Sequence, residues 1–377
     1  MKTIQAYKQK GKEWKYLQDN QHLNNPLVLV FANRMLLEKE EIVDDIRREF
    51  PYEHIIFGST SGEIIDSNVF DESIVVTAIE FERSSFEIRT QNILDHNKDA
   101  KKLGESLYNS IPKENLKHLF VLSEGSFVNG SSLIDGLEKN IQNAIPISGG
   151  MCGDDAKFEK TLASYKVNPK EGEVVLIGFY GETLEISFSS FGGWSTFGPE
   201  RIITKSEANV LYEIDGQPAL DLYKKYLGDK ASQLPQASLL YPLNVTPIGK
   251  KEPVVRTILS IDNAKQSMIL AGDVPVNSRV QLMMASVDAI AEGASEAAKL
   301  AMKNRKSEPQ LALLVSCVGR KLVMNQRVEE EIERVQEVVG KKTAITGFYS
   351  YGEMAPFSGN TFCDLHNQTM TLTLISE

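Results

Sequence analysis

The sequence predicts an α/β fold: mixed β-sheets covered by helices, built from repeated strand–helix–strand units with hairpins, in two halves. Three observations predict it. Short apolar runs bounded by turn residues alternate with segments of helical period. The order strand, helix, strand, hairpin occurs three times along the chain. Each strand–helix–strand stretch is about thirty residues long, the normal size of a parallel crossover.

The first unit opens with a strand at 26–33 (PLVLVFAN). A helix carrying Ile42, Ile46 and Phe50 follows, then a strand at 54–58 that enters the loop GSTSGEI. Strands at 73–81 and 85–91 close it. The second unit has a strand at 118–125, a helix with Leu133, Leu137 and Ile141, and a strand at 144–150 entering GGMCGDD. Strands follow at 162–167, 173–180 and 184–191. The third unit has a strand at 310–317, a helix with Val328, Ile332, Val335 and Val339, and a strand at 342–348 entering GFYSYGEM. It closes with strands at 362–367 and 369–376.

Helices also precede the second and third units, near 97–109 and 287–303; the latter is Ala-rich and suited to close packing. Between the second and third units, 206–283 has no clear counterpart. There we expect strands at 209–215, 237–245, 254–262 and 267–274, and a helix after Gly216 with Pro218 near its first turn and Gly228 at its end. The halves are 26–208 and 209–377, preceded by a polar segment, 1–25, read as a solvated terminus.

With 377 residues, 42% hydrophobic and 24% charged, the chain has an ordinary globular composition and can bury a large core. A net charge of −10 argues against nucleic acid or an anionic membrane as partner. Three cysteines without paired spacing fit a reducing compartment. The N-terminus has no signal-peptide pattern, and no apolar run is long enough to span a bilayer. A cytoplasmic location is expected.

The three strand-terminal loops share a form: each leaves a strand through glycine and ends in Gly plus an acid. In open α/β sheets, ligands bind outside the carboxyl ends of the strands, where these loops lie. Glu63, Asp154 and Glu353 can receive an ammonium group, and Ser59 and Ser61 add hydroxyls. Arg320, just past the third opening strand, has a planar fork suited to a carboxylate. Tyr349 supplies an apolar wall with a polar tip. Ser59, Ser61, Glu63, Asp154, Arg320, Tyr349 and Glu353 are therefore the expected ligand-facing set, for a zwitterion such as an amino acid. The competing reading of each is structural, because Gly-acid endings also make turns and buried acids also cap backbone amides.

Other motifs are weaker. GSTSG lacks the Lys-Ser/Thr of a phosphate-binding loop, and strands, not a helix, follow it. Cys363 and His366 have C-x-x-H spacing, but a structural zinc needs two more ligands, so no metal is expected. Haem needs one axial histidine, and His366 is the candidate. Met283 and Met284 read as core filling. The aromatics around GGWSTFG read as a packed strand turn, with a pocket floor as the alternative. Glu329–Glu331 and 333–337 read as a charged helix face.

Six segments in order resemble the FIST family: FGSTSGEI (57–64), SGGMCGDD (148–155), YEIDGQPALDLYKKYLG (212–228), SCVGR (316–320), GFYSYGEMAP (347–356) and LHNQTMTLTLISE (365–377). The resemblance implies a FIST N-terminal and a FIST C-terminal domain. It implies a signalling role in which a small ligand, usually proposed to be an amino acid or derivative, is reported to a histidine kinase, cyclase or chemoreceptor. Some members look like haem proteins sensing nitric oxide, which would make haem the cofactor and His366 its ligand; otherwise no cofactor is expected. No established site is carried over, because the family's binding residues are poorly defined. No output module is recognised, so a separate partner protein is expected to carry the signal. The leading expectation is a non-catalytic sensor. The alternatives are a haem-based nitric oxide sensor, an enzyme acting on a small amide or amino acid, and a scaffold.

Overall fold

Strands that must be buried on both faces read as continuous apolar runs, and this chain has several. In the computed structural model, which describes all residues except 19–20, 142–144, 251 and 357–361, they build three six-stranded sheets. The first sheet pairs Leu27–Asn33 in parallel with His54–Thr60. The second pairs Leu116–Ser123 with Ile147–Met151, and the third pairs Leu311–Cys317 with Ala344–Ser350, both in parallel. An antiparallel strand flanks the first member of each pair: Ser73–Glu80, Glu173–Tyr180 and Met370–Ser376 respectively. The start of the strand expected at 144 lies outside the described residues.

Side-chain alternation sends the two faces of each sheet to different cores. In Leu27–Asn33, Leu27, Leu29 and Phe31 enter a core shared with Phe120, Leu122, Leu313, Val315 and Phe348, so one face of all three sheets meets at the centre. Val28, Val30 and Ala32 face outward against Val43 and Ile46 of the helix Glu40–Glu49. That helix carries Glu40 and Glu41 in its first turn and Arg47 and Arg48 in its last, matching the dipole. The outer face of the second sheet is covered by helices Ala100–Ser110 and Gly130–Glu138, and that of the third by Val287–Met302 and Glu329–Val339.

Helices Ala100–Ser110 and Gly130–Glu138 touch through glycine. A Cβ on Gly104 would lie 2.4 Å from Leu133 O, and one on Gly136 would lie 2.1 Å from Lys101 O. Backbone cannot yield as a side-chain tip can. Gly136→Ala is expected to destabilise the protein by about 1–3 kcal/mol, read from the midpoint of urea unfolding.

After each parallel pair the chain leaves its own sheet. Glu63–Ile65 joins Ala344–Ser350 in the third sheet, Ala163–Tyr165 joins His54–Thr60 in the first, and Gly352–Pro356 joins Ile147–Met151 in the second. The exchange is cyclic, and the three Gly-acid segments are where the chain crosses from one sheet to the next. Two of the three six-stranded sheets therefore mix strands from both sides of residue 208, and the halves interlock.

The eight-stranded fourth sheet comprises residues 195–284. It packs on the helix Ala219–Leu227 around Leu220, Tyr223, Leu243 and Leu282. Several expectations need correcting. Lys2–Gln9 is no solvated terminus: it pairs with all of Ser73–Glu80 and buries Ile4 and Ala6. GGWSTFG (192–198), expected as a packed strand turn, instead runs into one long strand, Ser195–Glu207, and Arg279–Met284 is its neighbour. Met283 is buried as expected, but Met284 is exposed, because successive strand residues face opposite sides. The strand expected at 237–245 is a 3₁₀ turn, Gln236–Leu240, followed by Leu243–Thr246.

Candidate functional site

The three crossing segments meet and bond to one another. Ser59 Oγ donates to Gly153 O at 2.8 Å, and Ser61 Oγ donates to Asp155 O at 2.7 Å. Ser61 N donates to Tyr349 O at 2.9 Å, Tyr349 N to Gly62 O at 2.8 Å, and Tyr351 N to Met151 O at 3.2 Å. A Cβ on Gly153 would sit 2.2 Å from Ser61 Oγ, so any larger residue there would push that hydroxyl off Asp155 O.

The seven expected ligand-facing residues are all buried at this crossing or beside it. Glu63 accepts from Thr60 Oγ1 and, through its other oxygen, from Ser73 N at 3.2 Å and Ser73 Oγ at 2.5 Å. Glu353 repeats the pattern, with Ser350 Oγ at 2.7 Å, Thr369 N at 3.2 Å and Thr369 Oγ1 at 3.0 Å. Burial pushes both carboxyls up to about 8, against the pull of these hydrogen bonds. Asp154 caps the backbone N–H groups of Phe158, Glu159 and Lys160 and accepts from Tyr351 Oη. Burial raises its pKa as well, opposed by those amides and by Arg34, whose Nε lies 3.5 Å away.

Arg320 is fully buried and its fork is engaged by the protein. Nε and Nη2 reach Glu331 Oε2 at 2.9 and 2.8 Å, Nη2 donates to Ile290 O at 2.9 Å, and Nη1 donates to Gly192 O. Tyr349 Oη donates to Glu331 Oε1 at 2.6 Å. Glu331, read from sequence as part of a solvated face, is instead the buried counter-ion of Arg320. The set does come together, but around its own hydrogen bonds. Its geometry supports a structural centre rather than a ligand-facing wall.

An open cleft lies nearby, at the carboxyl ends of Leu116–Ser123 and Ile147–Met151. It has a volume of about 430 Å³. One wall is the segment 125–130, Met151 and the stacked rings of Phe158 and Tyr351, whose centroids are 4.5 Å apart. The other is the fourth sheet, through Asn209 and residues 270–272. Glu124 shapes the near wall by accepting from Ser126 N at 2.6 Å and Phe127 N at 2.7 Å. This leaves the Phe127 ring 51% exposed at the cleft. Asn129 caps the helix Gly130–Glu138 through Ser132 N at 2.9 Å and reaches across to Asp273 Oδ1 at 3.2 Å. Glu159 is the acid on the rim, with Arg34 Nη2 at 3.3 Å.

Sequence reasoning looked past these residues because it followed the second strand of each unit. The signal was present after the first: Ser-Glu-Gly ends a buried strand, and Asn129 stands before a helical pattern. At the same position in the first unit, Asn33 Nδ2 bonds to Asp155 and Arg34 pairs with Asp154. In the third, Arg320 pairs with Glu331. In the second the space is open.

His366 is buried, with Nε2 2.9 Å from Ala355 O, and burial pushes it down to about 4. The nitrogen that an axial ligand would offer to haem iron is turned to a carbonyl. Cys363 is buried, with its N–H on Glu138 Oε1 at 2.6 Å. Among the described residues no group of His, Cys, Asp and Glu is arranged to hold a metal ion, and no helix is long and apolar enough to cross a membrane.

Residues 26–217 match the family model of the FIST N domain, and residues 219–356 match that of the FIST C domain. The chain belongs to the FIST family. FIST domains are associated with signal transduction and small-ligand sensing. An uncharacterized protein of Methanocaldococcus jannaschii is 23% identical over an alignment 369 residues long, with 86% of this chain and 69% of that protein covered. The FIST N match ends inside the fourth sheet, and the cleft lies between residues of the two matched regions.

Proposed function

We propose that this FIST protein is a sensor that binds an amino acid or a derivative of one in the 430 Å³ cleft and reports it to a separate signalling protein, such as a histidine kinase, cyclase or chemoreceptor. The observation that carries the reading is the position of the cleft, between the helix Gly130–Glu138 and the fourth sheet. A ligand there touches both bodies and biases their relative placement, which is what a sensor without catalysis requires. The volume is in the range of small-ligand pockets. The start of the helix favours a carboxylate, Glu159 favours an ammonium, and Phe127, Phe158 and Tyr351 face the side chain.

Isothermal titration calorimetry against the common amino acids tests this. Phe127→Ala is expected to weaken binding about tenfold or more by removing apolar contact. Glu159→Gln is expected to weaken it about two- to fivefold, as an exposed ion pair would. The proposal fails if no amino acid binds, or if both variants bind as the parent does.

A further inference from the structure

A second cavity, of about 360 Å³, lies on a different side of the fourth sheet's junction with the core. It forms where residues 190–194, the strands around Asn244 and Val255, and the C-terminal residues His366 and Thr369 meet. Phe191, Trp194, Val255, Met283 and Leu300 line it. The Trp194 Nε1–H donates to Gln368 O at 2.9 Å, so the indole offers ring surface and no spare donor. Trp with Met and Phe suits a flat apolar group.

Among the described lining residues the charge is one-sided. Glu252, which is exposed, is the one carboxylate among the described lining residues, and none of those residues is Lys or Arg. Nearby Lys250 is paired with Asp364 at 2.5 Å. Asn244 and Thr369 add neutral hydrogen-bonding groups. A carboxylate at the rim of an aromatic cavity favours a cation and disfavours an anion. This is the opposite preference to a helix N-terminus.

We propose that this cavity is a second small-molecule site, taking a single-ring arylalkylamine with its ring against Trp194 and Met283 and its ammonium toward Glu252. The site is separate from the amino-acid cleft and does not depend on that reading.

Three probes with one ring and three charges test it: phenethylamine, 2-phenylethanol and phenylacetate. The chain has two tryptophans, so Trp14→Phe makes Trp194 the single emitter. Saturable change in its emission is expected, with phenethylamine binding about two- to fivefold tighter than the alcohol and phenylacetate weakest. Glu252→Gln, at an exposed position, is expected to bring the amine and the alcohol together. Val255→Phe, which fills the cavity, is expected to abolish all three responses. Ligand-observed NMR on the unmodified protein gives the same ranking without any substitution. No saturable binding by either method, phenylacetate binding first, or an unchanged ranking in Glu252→Gln would each overturn the proposal.

Discussion

Arg320→Met is expected to destabilise the protein by about 3–5 kcal/mol, because it leaves the Glu331 carboxylate buried without its counter-charge. Methionine keeps most of the volume of the side chain, so the loss reports charge and hydrogen bonds rather than a cavity. The same change strips donors from the carbonyls of Ile290 and Gly192. Glu331 would retain Tyr349 Oη and Ser316 Oγ, at 2.6 and 3.0 Å, which are too few to hold a fully buried anion. The double variant Arg320→Met/Glu331→Leu removes both charges and is expected to be less destabilised than the single one, although the carbonyls of Ile290 and Gly192 still lack the guanidinium. Urea unfolding of the four proteins of this cycle gives the coupling directly. A single-variant loss below about 1 kcal/mol would mean that the pair is hydrated in solution, not buried.

The second large effect is on pH. Burial raises Glu63 and Glu353 from their ordinary 4.5 up to about 8 in the folded protein. Both carboxyls are then protonated at neutral pH in the fold and ionised in the unfolded chain. The folded state binds more protons, so the stability they contribute is fully present below about 4.5 and is lost as pH rises through 8. Between pH 5 and 8.5 the loss is expected to be on the order of 3 kcal/mol per acid. Thermal midpoints should fall steadily over that range. Glu63→Gln/Glu353→Gln keeps neutral groups of the same shape and should flatten the profile while retaining stability near pH 7. A parent protein whose stability is level from pH 5 to 8.5 would show instead that the hydrogen bonds from Ser73, Ser350 and Thr369 hold the acids ionised.

Apolar periodicity made most of the core elements legible. Leu27–Asn33, Leu116–Ser123, Leu311–Cys317 and their parallel partners lie within a few residues of the runs that predicted them. So do the helices that place Val43 and Ile46, Leu133 and Leu137, or Ile332 and Val335 toward the sheets. Segments whose pairing is long-range were less legible. Ser195–Glu207 is mostly polar and exposed, and it is a strand because Arg279–Met284 and Val210–Ile214 lie on either side of it. Lys2–Gln9 reads as a basic tail, yet every residue of it pairs with Ser73–Glu80, and Ile4, Gln5 and Ala6 are buried. The shared Gly-acid ending that carries Glu63, Asp154 and Glu353 is visible from spacing alone. Their role was not legible. Whether Arg320 faces a ligand or Glu331 depends on where a helix docks.

By itself, the sequence determined the α/β class, the strand–helix–strand stretches and the family, because these rest on local period and on ordered motifs. Only the tertiary structure decided how the stretches combine. Each unit passes a strand to a neighbouring sheet, and those crossings bury Glu63, Asp154 and Glu353 and satisfy them internally. The same folding leaves the end of Leu116–Ser123 uncovered, with Phe127 and Glu159 at an open cleft. The physical reason is that burial and hydrogen-bond partners are properties of neighbours brought together across long separations in the chain. A carboxylate in sequence has the same chemistry whether it will cap three amides or meet a ligand, and only its surroundings distinguish the two.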